Sequence, residues 1–135
     1  MDEVDIMIAT ISSTNKNCSQ IMCELIQEVT LKKNDELIKV LYALGDGVHT
    51  GKTCGIVTGG AIAINLLAKD NSIEENLKFK KMINEYVEWF ENTFSSVECA
   101  TLDPEKKREV CSVMLKESFL KILSIFEENN IDLYD

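Results

Sequence analysis

Between Lys52 and Lys69 the chain carries sixteen residues without a charge, TCGIVTGGAIAINLLA (Thr53–Ala68). Wound as a helix, this stretch is apolar on every side, the pattern of a helix covered by several neighbours. Bilayer crossing takes about twenty such residues, and this run is interrupted by three glycines and Asn65, so a buried core helix is expected. Glycine inside a helix costs about 1 kcal/mol against alanine. The glycines within it therefore imply that another backbone or a bulky group must come close.

The segments on either side read as helices that could supply that cover. From Cys18, the residues Ile21, Met22, Leu25, Ile26 and Val29 form one stripe at helical spacing, with Gln20, Glu24 and Gln27 opposite and Asn17 or Ser19 as the cap. A second helix is expected over Asp35–Leu44 on Leu37, Leu41 and Leu44, ended by Gly45. A long amphipathic helix, Ile73–Phe94, puts Phe79, Met82, Ile83, Tyr86, Val87, Phe90 and Phe94 on one face, with Trp89 near its edge as a candidate contributor to a homodimer face. After the connection SSVECATLD, Asp103-Pro104 reads as a helix start, and the last helix runs to about Glu128 on Cys111, Met114, Leu115, Ile122, Ile125 and Phe126. The expected fold is all-α: a compact bundle of five or six helices around the buried glycine-rich helix, forming one domain over residues 1–135.

Composition agrees with that class. The 135 residues include 45% hydrophobic and 27% charged side chains, one proline and six glycines, all of the glycines between Gly45 and Gly60. Many short strands would need more turn residues elsewhere. A net charge of -9 argues against nucleic acid or an anionic membrane surface as partner. The N-terminal MDEVDIMIATISS is acidic and broken by Asp5, unlike a signal peptide. A cytoplasmic location is expected, where the five cysteines stay reduced.

The glycine loop before the buried helix ends in Gly51-Lys52-Thr53, as a phosphate-cradling loop does. The first glycine of that motif, however, would fall on Asp46, with Gly45 one place early and Gly47 one place late. A carboxylate stands where phosphate should lie, and nothing supplies the required parallel sheet. Nucleotide binding is not expected here.

Cys54 is the loop's other candidate. It starts the buried helix, where unpaired N–H groups stabilise a thiolate, and Gly55 and Gly59 leave room beside its sulfur. It is expected to be the most reactive thiol, with Cys18 slower beneath Ile21 and Met22, and Cys111 slowest. Cys18 also begins a helix on its apolar face, Cys99 lies in the connection before the last helix, and Cys111 sits on that helix's inward stripe. These four converge on the interior, while Cys23, about 140° around the helix from Cys18, reads as a bystander.

This set, with Cys54-Gly55-Ile56-Val57-Thr58-Gly59 at its centre, resembles the C_GCAxxG_C_C family of redox-active proteins, described by a CGAxxG motif and four characteristic cysteines. The resemblance spans about Asn17 to Phe126 and departs at Ile56, where the family has alanine. It implies Cys18 as the early cysteine, Cys54 as the motif cysteine and Cys99 and Cys111 as the late pair. Those four would be the catalytic or metal-binding set, with Gly55 and Gly59 as the glycines beside any bound group.

The chemistry of such a set stays open. No CxxC or CxxCH occurs, which sets aside a thioredoxin-type dithiol and covalently attached haem. Zinc sites usually show a closely spaced ligand pair, absent here. Four scattered thiolates can hold an iron–sulfur cluster. A disulfide couple, between Cys99 and Cys111 or between Cys54 and Cys18, serves equally well. His49, in the glycine loop, is read as an exposed loop residue before a base or ligand. The functional expectation is a cysteine-based redox-active protein, working through a thiol/disulfide couple or a metal or iron–sulfur centre, with an electron-transfer or oxidoreductase partner protein. The alternative is a small helical adaptor whose cysteines only pack.

Overall fold

The structure, a computed structural model, describes residues 2–106 and 109–134. Among them the chain forms seven α-helices: α1 Glu3–Ser12, α2 Cys18–Thr30, α3 Asp35–Leu41, α4 Gly55–Asn65, α5 Ile73–Phe94, α6 Cys99–Leu102 and α7 Glu109–Glu128. The only β-pairing among the described residues is an isolated antiparallel bridge between Thr53 and Glu98. The all-α expectation holds, with more helices than the five or six expected: α1 and the four-residue α6 are additional.

The interior is shared between α2 and α4. Nine of the thirteen residues of α2 and seven of the eleven of α4 are buried. Their backbones come into direct contact at Ser19, and the glycines explain how. A Cβ on Gly59 would lie 2.7 Å from Ser19 Cα, and one on Gly55 would lie 3.0 Å from Ser19 N. Gly60, on another side of α4, makes room for the ring of Tyr86, whose hydroxyl donates to Ile56 O at 2.7 Å. α5 covers that side with Phe79, Met82, Tyr86 and Phe90, all buried, while Trp89 packs against Tyr86 and edge-on to Phe94. Phe119, Ile122, Ile125 and Phe126 of α7 complete the same core.

One face of α2 departs from the sequence reading. Gln20 and Gln27, expected opposite the apolar stripe, are buried. The carbonyls they reach explain this. Gln27 Nε2 donates to Asn34 O, the capping residue before α3, at 3.3 Å, and α3 ends by tightening through Tyr42–Leu44, where further side chains of the α2 region reach its carbonyls. Gln20 Nε2 donates to Ile38 O at 3.0 Å, Asn17 Nδ2 donates to Tyr42 O at 2.9 Å, and Ser19 Oγ lies 2.7 Å from Leu41 O. Asn17 also caps α2 in a reciprocal capping box with Gln20. A buried polar row on α2 thus terminates α3 and fixes where the glycine loop begins.

The expected helix start at Asp103-Pro104 is a turn instead. Lys106 N donates to Asp103 O at 3.1 Å, and Lys106 has a left-handed φ of 55°. Proline in second place of a turn is as favourable as at a helix start. Lys107 and Arg108, through which the expected helix would pass, lie outside the described residues, and α7 is described from Glu109. At its other end the bundle is fastened by Lys116 of α7, whose Nζ lies 2.8 Å from Asp2 and 3.2 Å from Asp5. No helix among the described residues is long and apolar enough to cross a membrane.

The Gly59–Ser19 contact gives a direct test. Gly59→Ala should lower the unfolding free energy by about 1–3 kcal/mol, the usual cost of overpacking, despite alanine's better helix propensity. Chemical denaturation of Gly59→Ala beside Thr58→Ala as control measures it. An unchanged midpoint would mean that α2 and α4 are not in backbone contact.

Candidate functional site: a cysteine cavity

The helices bring Cys18, Cys54, Cys99 and Cys111 to the wall of one small cavity of about 20 Å³, together with Asp46 and Asp103. Room for about one water molecule is all that such a volume provides. Each cysteine arrives by a different route. Cys18 is the first residue of α2, Cys54 stands immediately before α4, Cys99 opens α6, and Cys111 lies in the first turns of α7. Cys23 is fully buried and is not part of the cavity wall.

Two of the four are coupled through the backbone. Cys54 N donates to Val97 O and Cys99 N donates to Lys52 O, both at 2.7 Å, on either side of the Thr53–Glu98 bridge. In an antiparallel pair the residues flanking a bridge turn to the face opposite the bridging residues. Cys54 and Cys99 are therefore diagonal neighbours on one face of the pairing. The sequence offered no sign of this, since a single bridge leaves no alternating pattern.

Burial, not the helix start, decides the state of Cys54. Its exposure is 4%, and that desolvation pushes its pKa from an ordinary 9 up to about 11. The N–H groups of Ile56 and Val57 pull the other way, as a helix start should, but they are outweighed; nearby Cys99 and then Cys111 raise it further. Cys23 is pushed up to about 12, chiefly by burial, with Glu24 adding to it. Cys54 is thus a protonated thiol at neutral pH, contrary to the expectation that it reacts fastest. Gly55 does line the cavity, but Gly59 abuts Ser19 rather than clearing space at the sulfur.

The loop that carries Asp46 is strained. Asp46, Gly47, Val48 and His49 have φ of 50°, 63°, 58° and 58°, four successive left-handed residues. Each non-glycine residue there costs about 1–2 kcal/mol, and a β-branched valine is especially ill suited. Lys52 N and Thr50 Oγ1 both donate to Gly47 O, at 3.0 and 2.9 Å. His49 Nε2 lies 2.9 Å from Tyr42 O, and since a carbonyl only accepts, Nε2 is the donor of this contact. Strain of this kind collects at functional sites. Asp46 and Asp103 at the cavity went unassigned in the sequence; the carboxylate set between Gly45 and Gly47 was the available signal.

The fit to a metal centre is poor. Among the described residues, no three His, Cys, Asp or Glu side chains are grouped to hold a metal ion.

Compared with known families, residues 16–125 match the model described as "Putative redox-active protein (C_GCAxxG_C_C)". The chain belongs to this family. The matched span takes in all four cavity cysteines and the whole glycine loop. Neither the curated proteins nor the solved structures contain a match to the chain.

Two outcomes follow from the buried thiols. In the reduced protein at pH 7, alkylation mapped by mass spectrometry should label Cys54 and Cys23 more slowly than Cys18, Cys99 and Cys111; fast labelling of Cys54 would refute its burial. Above pH 9 the unfolded chain ionises these thiols while the folded chain keeps them protonated. Stability should be intact below pH 9 and fall by about 1.4 kcal/mol per thiol per pH unit. The loss should extend to about pH 11 for Cys54 and about 12 for Cys23. Cys54→Ser should flatten part of that slope in denaturation curves. ATP or GTP with magnesium should leave the melting temperature unchanged, since Gly47–Gly51 forms the strained turn and no strand precedes it among the described residues.

Proposed function

We propose that this member of the redox-active family works through a thiol–disulfide couple formed by Cys54 and Cys99. The observation that carries the reading is the bridge, which holds these two cysteines on one face of paired backbone against a common cavity. Cys99 also acts on the Cys54 thiol more strongly than Cys111 does. In the forward direction the two thiols become one disulfide, releasing two protons and two electrons to an oxidant, which would be a disulfide or an electron-transfer partner protein. Cys18 and Cys111, on the same wall, enclose the couple.

Closing the bond asks for a small movement. Diagonal cross-strand neighbours have Cα atoms about 7–8 Å apart, whereas disulfides span up to about 6.8 Å. A slide of about 1 Å is needed, along a pairing held by the two backbone hydrogen bonds of an isolated bridge.

Hydrogen peroxide, which accepts the two electrons and becomes water, tests the reading. The wild type should lose two of its five thiols and yield a peptide pair joined through Cys54 and Cys99. Cys54→Ser should form no such bond, and Cys23→Ser should behave as wild type, both keeping their helical circular dichroism. If all five thiols survive, the cysteines only pack and the redox mechanism is refuted.

A further inference from the structure

The small cysteine cavity has a larger neighbour. Outside it lies an open hollow of about 460 Å³, walled by His49, Thr50, Ala100, Pro104 and Lys106 and sharing Asp46, Cys99 and Asp103 with the inner cavity. Its volume lies in the range of small-molecule sites, about 300–1,000 Å³. Of the four cysteines, Cys99 alone lines both spaces; Cys18, Cys54 and Cys111 face only the inner one. Cys99 is partly exposed, while Cys54 is nearly sealed.

We infer that this outer hollow is a substrate site for low-molecular-weight disulfides, with Cys99 as the thiol that attacks and Cys54 as the thiol that resolves. The inference deepens the Cys54–Cys99 couple and rests on it. In the first step the Cys99 sulfur attacks one sulfur of a disulfide R–S–S–R; a Cys99–S–S–R bond forms, the substrate's bond breaks, and one R–S⁻ leaves and takes the proton given up by Cys99. In the second, Cys54 attacks the Cys99 sulfur, the Cys54–Cys99 disulfide forms, and the second R–S⁻ leaves with the proton from Cys54. The substrate is reduced to two thiols and the protein is oxidised by two electrons.

The division of roles follows from access. Thiol–disulfide exchange needs the attacking sulfur, the central sulfur and the leaving sulfur nearly in line, so the first thiol must meet a substrate from outside. The inner cavity, with room for about one water, cannot admit R–S–S–R to Cys54. A mixed disulfide on Cys99 instead lies with its R group in the hollow and its Cys99 sulfur toward Cys54. The high pKa of Cys54 makes the second step the slower one, so the mixed disulfide should accumulate.

Bis(2-hydroxyethyl) disulfide, small and uncharged, is the probe. With Cys54→Ser, tryptic mass spectrometry should find the hydroxyethylthio adduct on Cys99 about tenfold faster than on Cys18 or Cys111. Wild type should pass through the same adduct to the Cys54–Cys99 disulfide, releasing two mercaptoethanol molecules per chain. Ala100→Trp, which fills the hollow from an exposed position, should slow the adduct on Cys99 at least about fivefold while leaving the slower labelling of Cys18 unchanged. Adduct chiefly on Cys18 or Cys111, or an Ala100→Trp rate equal to wild type, would overturn the hollow as the entry site. If peroxide closes the Cys54–Cys99 bond but the disulfide probe never does, the couple stands and this inference falls. If neither oxidant closes it, both fall.

Discussion

Everything near the cysteines is positioned by the contact between the backbones of α2 and α4 at Ser19. Two helices ordinarily keep their axes about 8–10 Å apart because side chains fill the space between them. Gly55 and Gly59 remove the side chains on one partner, and Ser19 presents only a hydroxymethyl group on the other. The same serine turns its hydroxyl to Leu41 O and Asn17 Oδ1, each at 2.7 Å. One residue thus locates α4 against α2 and anchors the end of α3. With those three elements set, the loop between α3 and α4 has its two ends fixed, and its left-handed turn is what spans them.

The site inherits its character from that arrangement. Cys54 leaves the loop just as α4 dives into the core, so its thiol meets the favourable pull of the Ile56 and Val57 N–H groups and the desolvation of an interior together. The desolvation dominates. Tyr86 lies below, its phenol pushed above its usual range by burial, with the Ser118 hydroxyl and Cys54 beside it; Ser118 Oγ itself makes no hydrogen bond of good geometry. The protonated Cys54 thiol thus stands on the same cavity wall as the side chains of Asp46 and Asp103.

The long helices were legible because their signals are repetitive. α5 occupies Ile73–Phe94, the span its twenty-two-residue pattern indicated, and the glycines in α4 mark close approaches by a backbone and a ring. Signals carried by single residues misled. Asp103-Pro104 suits a turn as well as a helix start. Gln20 and Gln27 look like surface residues until the carbonyls of another helix claim them. α1 went unread because only Ile8 and Ile11 of its ten residues are buried. The convergence of the four cysteines was readable from their places on stripes and at helix starts; the coupling of Cys54 to Cys99 was not, because a lone bridge joins segments distant in sequence. The state of Cys54 was misjudged for a related reason: a helix start is a local property, and burial depends on the whole fold.

The Thr53–Glu98 bridge has a kinetic meaning as well. The segment from Ser95 to Lys106 has no fully buried side chain, and the bridge's two hydrogen bonds tie its backbone to the end of the glycine loop. Its detachment uncovers only the partly buried Val97 and Leu102 among its large apolar side chains, so it should depend less on denaturant than unfolding does and proceed while the long helices stay intact. Access to the sulfur of Cys54 would then be timed by a sub-global opening, many times more frequent than unfolding. A protein with a sealed thiol can in this way keep it sealed against bulk solvent and still deliver it on a millisecond-to-second schedule.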